Sequence, residues 1–397
     1  MPHSLTLSIF VDALGWKLQE RWGFLEDLLT YRAPIETVFG YSSTCDPTIL
    51  TGLPPREHGH FAFYVYDPGR GCFPESWKLL KTLPRALGGR GRVRHWISRL
   101  GRQALGWTGY FQLYQVPFDR LGDLDYTEKR DIYMPGGILG GQPTLFDSLR
   151  RAEIPFHLSD WRRSETYNLR NLEQAIRGGE IRFAYLYLAD MDGLLHAEGT
   201  TSPRVGHKLR DYESSIRQLV RTAEAVYDET RLLVFSDHGM RDVEAASDLM
   251  LRVEDLPLTW GRDYGSVFDA TMARFWFADS RAERLVRRAL AAETRGEIVA
   301  ESTLARWGCD FAEHRYGELF FLLEPGVVFA PSDMCREAPA GMHGYRPEDP
   351  SSTAFFGSNN VPSEPPRALA DLAHLMLEET GAPSLASLRR EPEGWVA

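Results

Sequence analysis

The stretch Leu5-Thr6-Leu7-Ser8-Ile9-Phe10-Val11, closed by Asp12, decides the fold class. Its apolar residues run almost without a break, as in a strand buried on both faces. Working outward, Phe183–Ala189 and Arg231–Phe235 read the same way. Between those two lies a long segment in which Val205, Leu209, Tyr212, Ile216, Leu219, Ala223 and Val226 recur in steps of four and three, so that they share one helix face. Apolar strands alternating with helices predict an α/β fold: a central, mostly parallel sheet flanked by helices. Other expected elements are a helix over 16–29, a short strand at Ile35–Phe39 and a pair, Leu319–Leu323 and Val327–Phe329, around Glu324-Pro325-Gly326. A last strand at Thr353–Phe356 and a helix from Pro365 to Thr380 close the chain.

Two regions interrupt this pattern and read as inserts on a common core formed by 1–65, 142–241 and 340–397. The first, 66–141, holds Lys78, Lys81, Arg85, Arg90, Arg92, Arg94, Arg99 and Arg102 between residues 76 and 110, with Trp77, Trp96 and Trp107 among them and no acid. Such a patch suits a polyanionic or lipid-linked substrate or a membrane surface, or it is a solvated cap. The second, 242–339, has its own helix at Ser280–Thr294. A length of 397 residues is enough for one large domain carrying both inserts. The net charge of −10 argues against whole-protein affinity for a nucleic-acid duplex. The start of the chain has no charged n-region and no apolar stretch ending in small residues, and Cys45, Cys72, Cys309 and Cys335 lie far apart without a CxxC pair. A cytoplasmic protein with free thiols is therefore expected.

Chemistry-bearing residues gather where the strands end. Asp12 follows the first strand; alone it would be a turn or cap residue. Asp192 and His196 follow the Phe183–Ala189 strand and flank a short Gly193-Leu-Leu loop. Asp237-His238 follow Arg231–Phe235 directly, with Gly239 to let the backbone bend away. His343 stands between Gly341 and Gly344 in a Gly-Met-His-Gly-Tyr run. Three carboxylates and three imidazoles make three ligands for each of two ions. This mixture suits zinc better than magnesium, with manganese or another divalent ion as the alternative. Two such ions side by side can clamp the attacking and leaving oxygens of an in-line displacement. Hydroxyls for a nucleophile are offered by Ser42, Ser43 and Thr44, in a loop that enters a helix ended by Gly52. At a helix N-terminus such a hydroxyl meets the positive end of the dipole.

In this order the residues resemble the alkaline phosphatase superfamily, and within it the nucleotide pyrophosphatase/phosphodiesterase branch. The resemblance is carried by the strand before Asp12, Thr51-Gly-Leu-Pro54 with Glu57-His-Gly59, Asp192 with His196, Ser236-Asp-His-Gly-Met240 and Gly341-x-His-Gly-Tyr345. It implies an alkaline-phosphatase-like sheet with two inserted caps and a hydrolase of phosphoester or phosphoanhydride bonds. Asp192, His196 and His343 would hold one zinc; Asp12, Asp237 and His238 would hold the other. The family's spacing back from Thr51 lands on Ser42 as nucleophile, where that branch usually has Thr, with Ser43 and Thr44 as rivals. A monoesterase, phosphonate hydrolase, phosphotransferase or non-catalytic binding protein on the same core are the competing readings. His58 and His60 read as packing or turn residues near the nucleophile loop, and Asp190 either supports Asp192 or is a plain strand-end residue.

Overall fold

The computed structural model describes residues 4–82 and 91–390. A six-stranded sheet forms the centre, built from β1 (Ser4–Val11), β2 (Tyr31–Ile35), β3 (Phe156–Leu158), β4 (Phe183–Leu188), β5 (Glu229–Phe235) and, after a second sheet, β10 (Ala354–Ser358). The spatial order is β2-β10-β5-β1-β4-β3. From β5 to β3 the neighbours are parallel, and β10 and β2 join antiparallel at one edge. The apolar run of β1 places this strand between β4 and β5, where both of its faces are covered. Leu5, Leu7, Ile9 and Val11 pack with Leu172, Ile176 and the apolar stripe of helix Pro203–Glu224. Phe10, on the other face, packs with Tyr185, Leu233 and Phe235 beneath helices Ser42–Thr51 and Asp371–Thr380.

Residues from two regions, 63–133 and 242–339, line one cavity together with Asp12, Ala189 and Asp192, which follow the carboxyl ends of β1 and β4. The second contributes an antiparallel sheet of β6 (Tyr264–Phe268), β7 (Met272–Phe277), β8 (Gly296–Ile298) and β9 (Leu319–Leu323), in the order β6-β7-β9-β8. One face of this sheet belongs to a single apolar cluster in which Val267, Met272, Trp276 and Phe320 pack with Tyr64 and with Phe73, Phe111, Leu121 and Tyr126 of the region 66–141. Arg274 is fully buried in this cap, paired with Asp269 at 2.8 Å and donating to the Tyr64 and Tyr316 carbonyls. Among the described residues, no helix is long and apolar enough to cross a membrane.

Several expected elements are displaced. The first helix stops at Trp22, because Gly23 adopts a left-handed conformation there (φ 62°) and caps it. The edge strand is Tyr31–Ile35 rather than Ile35–Phe39; its Pro34 is tolerated because β2 is the outermost strand. Val327–Phe329 does not pair with Leu319–Leu323 but runs parallel to Ala245–Ser247 in a separate ribbon. The closing helix begins at Asp371, whose carboxylate accepts from the Arg367 and Ala368 amides. In the basic insert, Arg85 and Arg90 lie outside the described residues.

Candidate active site

Four segments converge beyond the carboxyl ends of β1, β4 and β5. Asp12 leaves β1 and is buried. One oxygen accepts from the Tyr187 hydroxyl, and the other faces His238 Nε2 at 3.8 Å. Asp237, with no exposed surface, accepts from the Ala13 amide at 3.1 Å through one oxygen and faces His238 Nε2 at 3.0 Å through the other. His238 Nδ1 lies 2.9 Å from the Gly239 carbonyl. That contact fixes the proton on Nδ1 and turns the lone pair of Nε2 toward the two aspartates. Gly239 does not serve by bending the backbone away. A Cβ there would stand 2.2 Å from the Ser351 carbonyl oxygen, and one on Gly15 would stand 2.3 Å from the Gly239 Cα, so the need is for close backbone approach.

Asp192 and His196 sit one turn apart on helix Asp190–Glu198, not across a loop. The four-residue spacing puts both on one helix face, with Asp192 Oδ1 at 3.2 Å from His196 Nε2. His196 Nδ1 contacts the Gly341 carbonyl at 2.8 Å, the same arrangement that orients His238. His343 arrives from Gly341-Met342, which pairs with Arg241-Asp242, and it faces Asp192 Oδ1 at 3.7 Å. Gly344 makes this presentation feasible: φ is 85°, and the Tyr41 ring fills the space a side chain would need. The His343 ring stacks on His238 at 3.7 Å, joining the two groups.

The result is two trios, Asp12/Asp237/His238 and Asp192/His196/His343, each with its ligand atoms within 4.8 Å of one another. Asp12 Oδ1, Asp192 Oδ1 and Asp237 Oδ2 are buried without a hydrogen-bond partner. Orphaned buried acceptors of this kind are costly, and a cation removes the cost. The electrostatics point the same way. Burial, followed by Asp237 and Asp192, pushes the Asp12 carboxyl well above the usual carboxylate range. Burial and then His238 hold His343 well below the usual imidazole range. Asp192 is half-buried; its desolvation raises the carboxyl, but His196 and then the other two imidazoles outweigh that and hold it below the usual range. Mixed nitrogen and oxygen donors, three to each trio, fit a divalent ion with open positions left for substrate.

Ser42 opens helix Ser42–Thr51, and its Oγ lies 3.2 Å from His238 Nε2. The neighbouring hydroxyls are engaged elsewhere: Ser43 and Thr44 both donate to the Phe61 carbonyl, at 3.0 and 2.6 Å. A cavity of about 580 Å³ runs from Ser42 and the trios into the cap and is lined by Phe63, Tyr110, Tyr114, Trp161 and Glu128, among others. Tyr187, Asp46 and Glu128 are the residues of this site that sequence reasoning missed. Tyr187 was legible in principle, as a hydroxyl inside a strand read as buried; Asp46 and Glu128 carry no such signal. His58 and His60 are buried packing residues: His58 Nε2 contacts Thr48 Oγ1 at 3.0 Å, and His60 Nε2 accepts from the Leu139 amide at 2.9 Å. Asp190 points away from the trios and pairs with Lys208 at 3.0 Å.

The model of the family described as type I phosphodiesterase / nucleotide pyrophosphatase matches residues 6–346. The chain belongs to this family. It is accordingly a member of the alkaline phosphatase superfamily and a hydrolase of the phosphodiesterase/nucleotide pyrophosphatase type. No curated protein matches the chain. Among solved structures, murine ectonucleotide pyrophosphatase / phosphodiesterase 5 superposes with a TM-score of 0.68 at 15% identity, over 96% of this chain and 95% of that one. The human protein of the same name gives 0.68 and 15%, over 96% of each. An inactive variant of the murine protein in complex with AMP gives 0.67 at 15% identity, over 96% of each chain. These likenesses cover nearly the whole chain, so the shared fold extends well beyond the central sheet.

Proposed function

We propose that this family member hydrolyses phosphodiester or phosphoanhydride bonds through Ser42, with two zinc ions held by the two trios. The observation that carries the reading is the position of Ser42 Oγ, 3.2 Å from His238, while Ser43 and Thr44 are tied to Phe61. Bound in the trios, zinc would supply positive charge that makes the alkoxide accessible near neutral pH and offsets charge on the phosphoryl oxygens. The chain's own residues do the rest. The first turn of helix Ser42–Thr51 aims Ser42 into the cavity and sets it at the positive end of the helix dipole. Ser42 Oγ gives up its proton to water and attacks phosphorus; the bond to the leaving oxygen breaks, that oxygen takes up a proton from water where its basicity requires one, and the rest of the substrate stays on Ser42 as a seryl phosphodiester. Water then attacks phosphorus, the Ser42 Oγ–P bond breaks, Ser42 regains a proton and a phosphomonoester leaves.

The aromatic part of the cavity is the place for the organic group of the substrate. The murine relative in complex with AMP, which shares the fold, makes nucleotides the first compounds to try, although lipid-linked phosphoesters fit the same chemistry. In the test, Ser42→Ala abolishes turnover of bis-p-nitrophenyl phosphate while zinc content stays normal. Turnover retained in that variant and lost in Ser43→Ala or Thr44→Ala would transfer the role. Equal or better turnover of a monoester by the parent enzyme would overturn the diesterase assignment.

A further inference from the structure

The three tryptophans of the basic insert part company in the structure. Trp77 and Trp107 join the apolar cluster of the cap, and Trp77 lies so close to helix Gly91–Ala104 that a Cβ on Gly101 would stand 2.2 Å from its ring. Trp96 does the opposite: it points outward and is 59% exposed. The same helix buries Arg94, Ser98 and Gly101 against the cap. That inner face is fixed in place, since Arg94 donates to the Tyr114 and Val116 carbonyls and Ser98 Oγ accepts from the Leu113 amide. The outer face is left with Arg92, Trp96, Arg99 and Leu100, all exposed. Leu100 is 61% exposed, and Leu79, two residues from the Trp77 contact, is 67% exposed.

We infer that this face docks the protein on an anionic lipid surface. A helix anchored on one side, with Trp and Leu interleaved with Arg on the other, has the composition of an interfacial helix. Charge complementarity selects the partner. The molecule as a whole is acidic, at −10, yet residues 76–110 contain only cations among their charged groups. A juxtaposition of this kind attracts anionic headgroups locally against the overall field. The exposed indole favours the headgroup boundary over a purely polar polyanion. The placement also has a consequence for substrate access. Arg102, at the end of the helix, lies over the Trp161 ring at 5.9 Å, and Trp161 and Tyr110 line the cavity that leads to Ser42. Docking through the helix sets the mouth of the cavity beside the membrane surface.

The test is co-sedimentation of the full-length protein with phosphatidylcholine vesicles, with and without phosphatidylglycerol. Binding is expected only with the anionic lipid and is expected to fall as salt rises. Arg92→Glu/Arg99→Glu and Trp96→Ser/Leu100→Ser should each weaken it roughly tenfold or more, with turnover of bis-p-nitrophenyl phosphate and the melting curve unchanged. As a second measurement on intact protein, brominated anionic lipid should quench a tryptophan signal that Trp96→Phe removes. Absence of sedimentation at low salt, or sedimentation that both double variants retain, overturns the inference. Binding to a single-stranded oligonucleotide without binding to vesicles also overturns it and reassigns the patch to nucleic acid.

Discussion

Ser42, Ser43 and Thr44 offer the same functional group on the same helical turn, and what separates them is where each hydroxyl is already engaged. The same principle picks out Tyr187. Its hydroxyl donates to Asp12, leaving the other Asp12 oxygen without a partner and facing the trio. Removing such a supporting hydrogen bond loosens a ligand without deleting it, so Tyr187→Phe is expected to weaken zinc binding roughly tenfold, read by competition with a chelating dye. Glu128 gives a pH signature. It is buried in the cavity wall, and burial, with Asp131 nearby, pushes its carboxyl from 4.5 up to about 8. Between those values the native state keeps a proton that the unfolded chain has released. This contribution is complete below 4.5 and is lost as pH rises through about 8. Glu128→Gln should therefore flatten the fall in melting temperature over that range and gain on the parent enzyme as pH increases. A parallel fall in both proteins would remove Glu128 as the cause.

Two glycines show how the elements impose different demands on one residue type. Gly239 sits where the turn after β5 presses against Ser351, and an added Cβ would meet that carbonyl oxygen at 2.2 Å. Gly193 lies on helix Asp190–Glu198 with open space where a Cβ would go. Gly239→Ala should destabilise by about 1–3 kcal/mol through forced backbone movement, whereas Gly193→Ala should stabilise by about 0.5–1 kcal/mol through helix propensity. Urea unfolding of the pair checks both signs. The helix itself was not legible: Asp192 and His196 read as the flanks of a loop, because Gly193 breaks the pattern and the segment has little apolar periodicity. Long, strongly periodic segments such as helix Pro203–Glu224 were legible, since six apolar positions in register, Val205 to Ala223, leave little choice of face. Boundaries set by a single residue, Gly23 as a cap or Asp371 reaching back to the Arg367 and Ala368 amides, were not.

For the whole molecule, the proposed metal centre would also act as a stability element. Without an ion, Asp12 and Asp237 are buried and Asp192 is half-buried near them, each with an orphaned buried oxygen. Treatment with EDTA should lower the melting temperature and zinc should restore it, each site contributing about 2.7 kcal/mol at a hundredfold excess over its Kd. Elemental analysis should return two ions per chain after loading. A melting curve unmoved by chelation, with fewer than one ion bound, would favour a binding protein that kept only the fold.

By itself the sequence determined the α/β class, the central strand and the six candidate ligands, because strand burial and the order of Asp and His at strand ends are local, chemical signals. Only the tertiary structure brought the six together, in the two trios that the resemblance implies, and decided which of the three rival hydroxyls faces them and which of the three tryptophans is left outside. Those choices depend on backbone carbonyls, Gly239, Gly341 and Phe61 among them, that orient each ring or hydroxyl. A carbonyl looks the same at every position in a sequence and acquires a direction only when distant segments pack together.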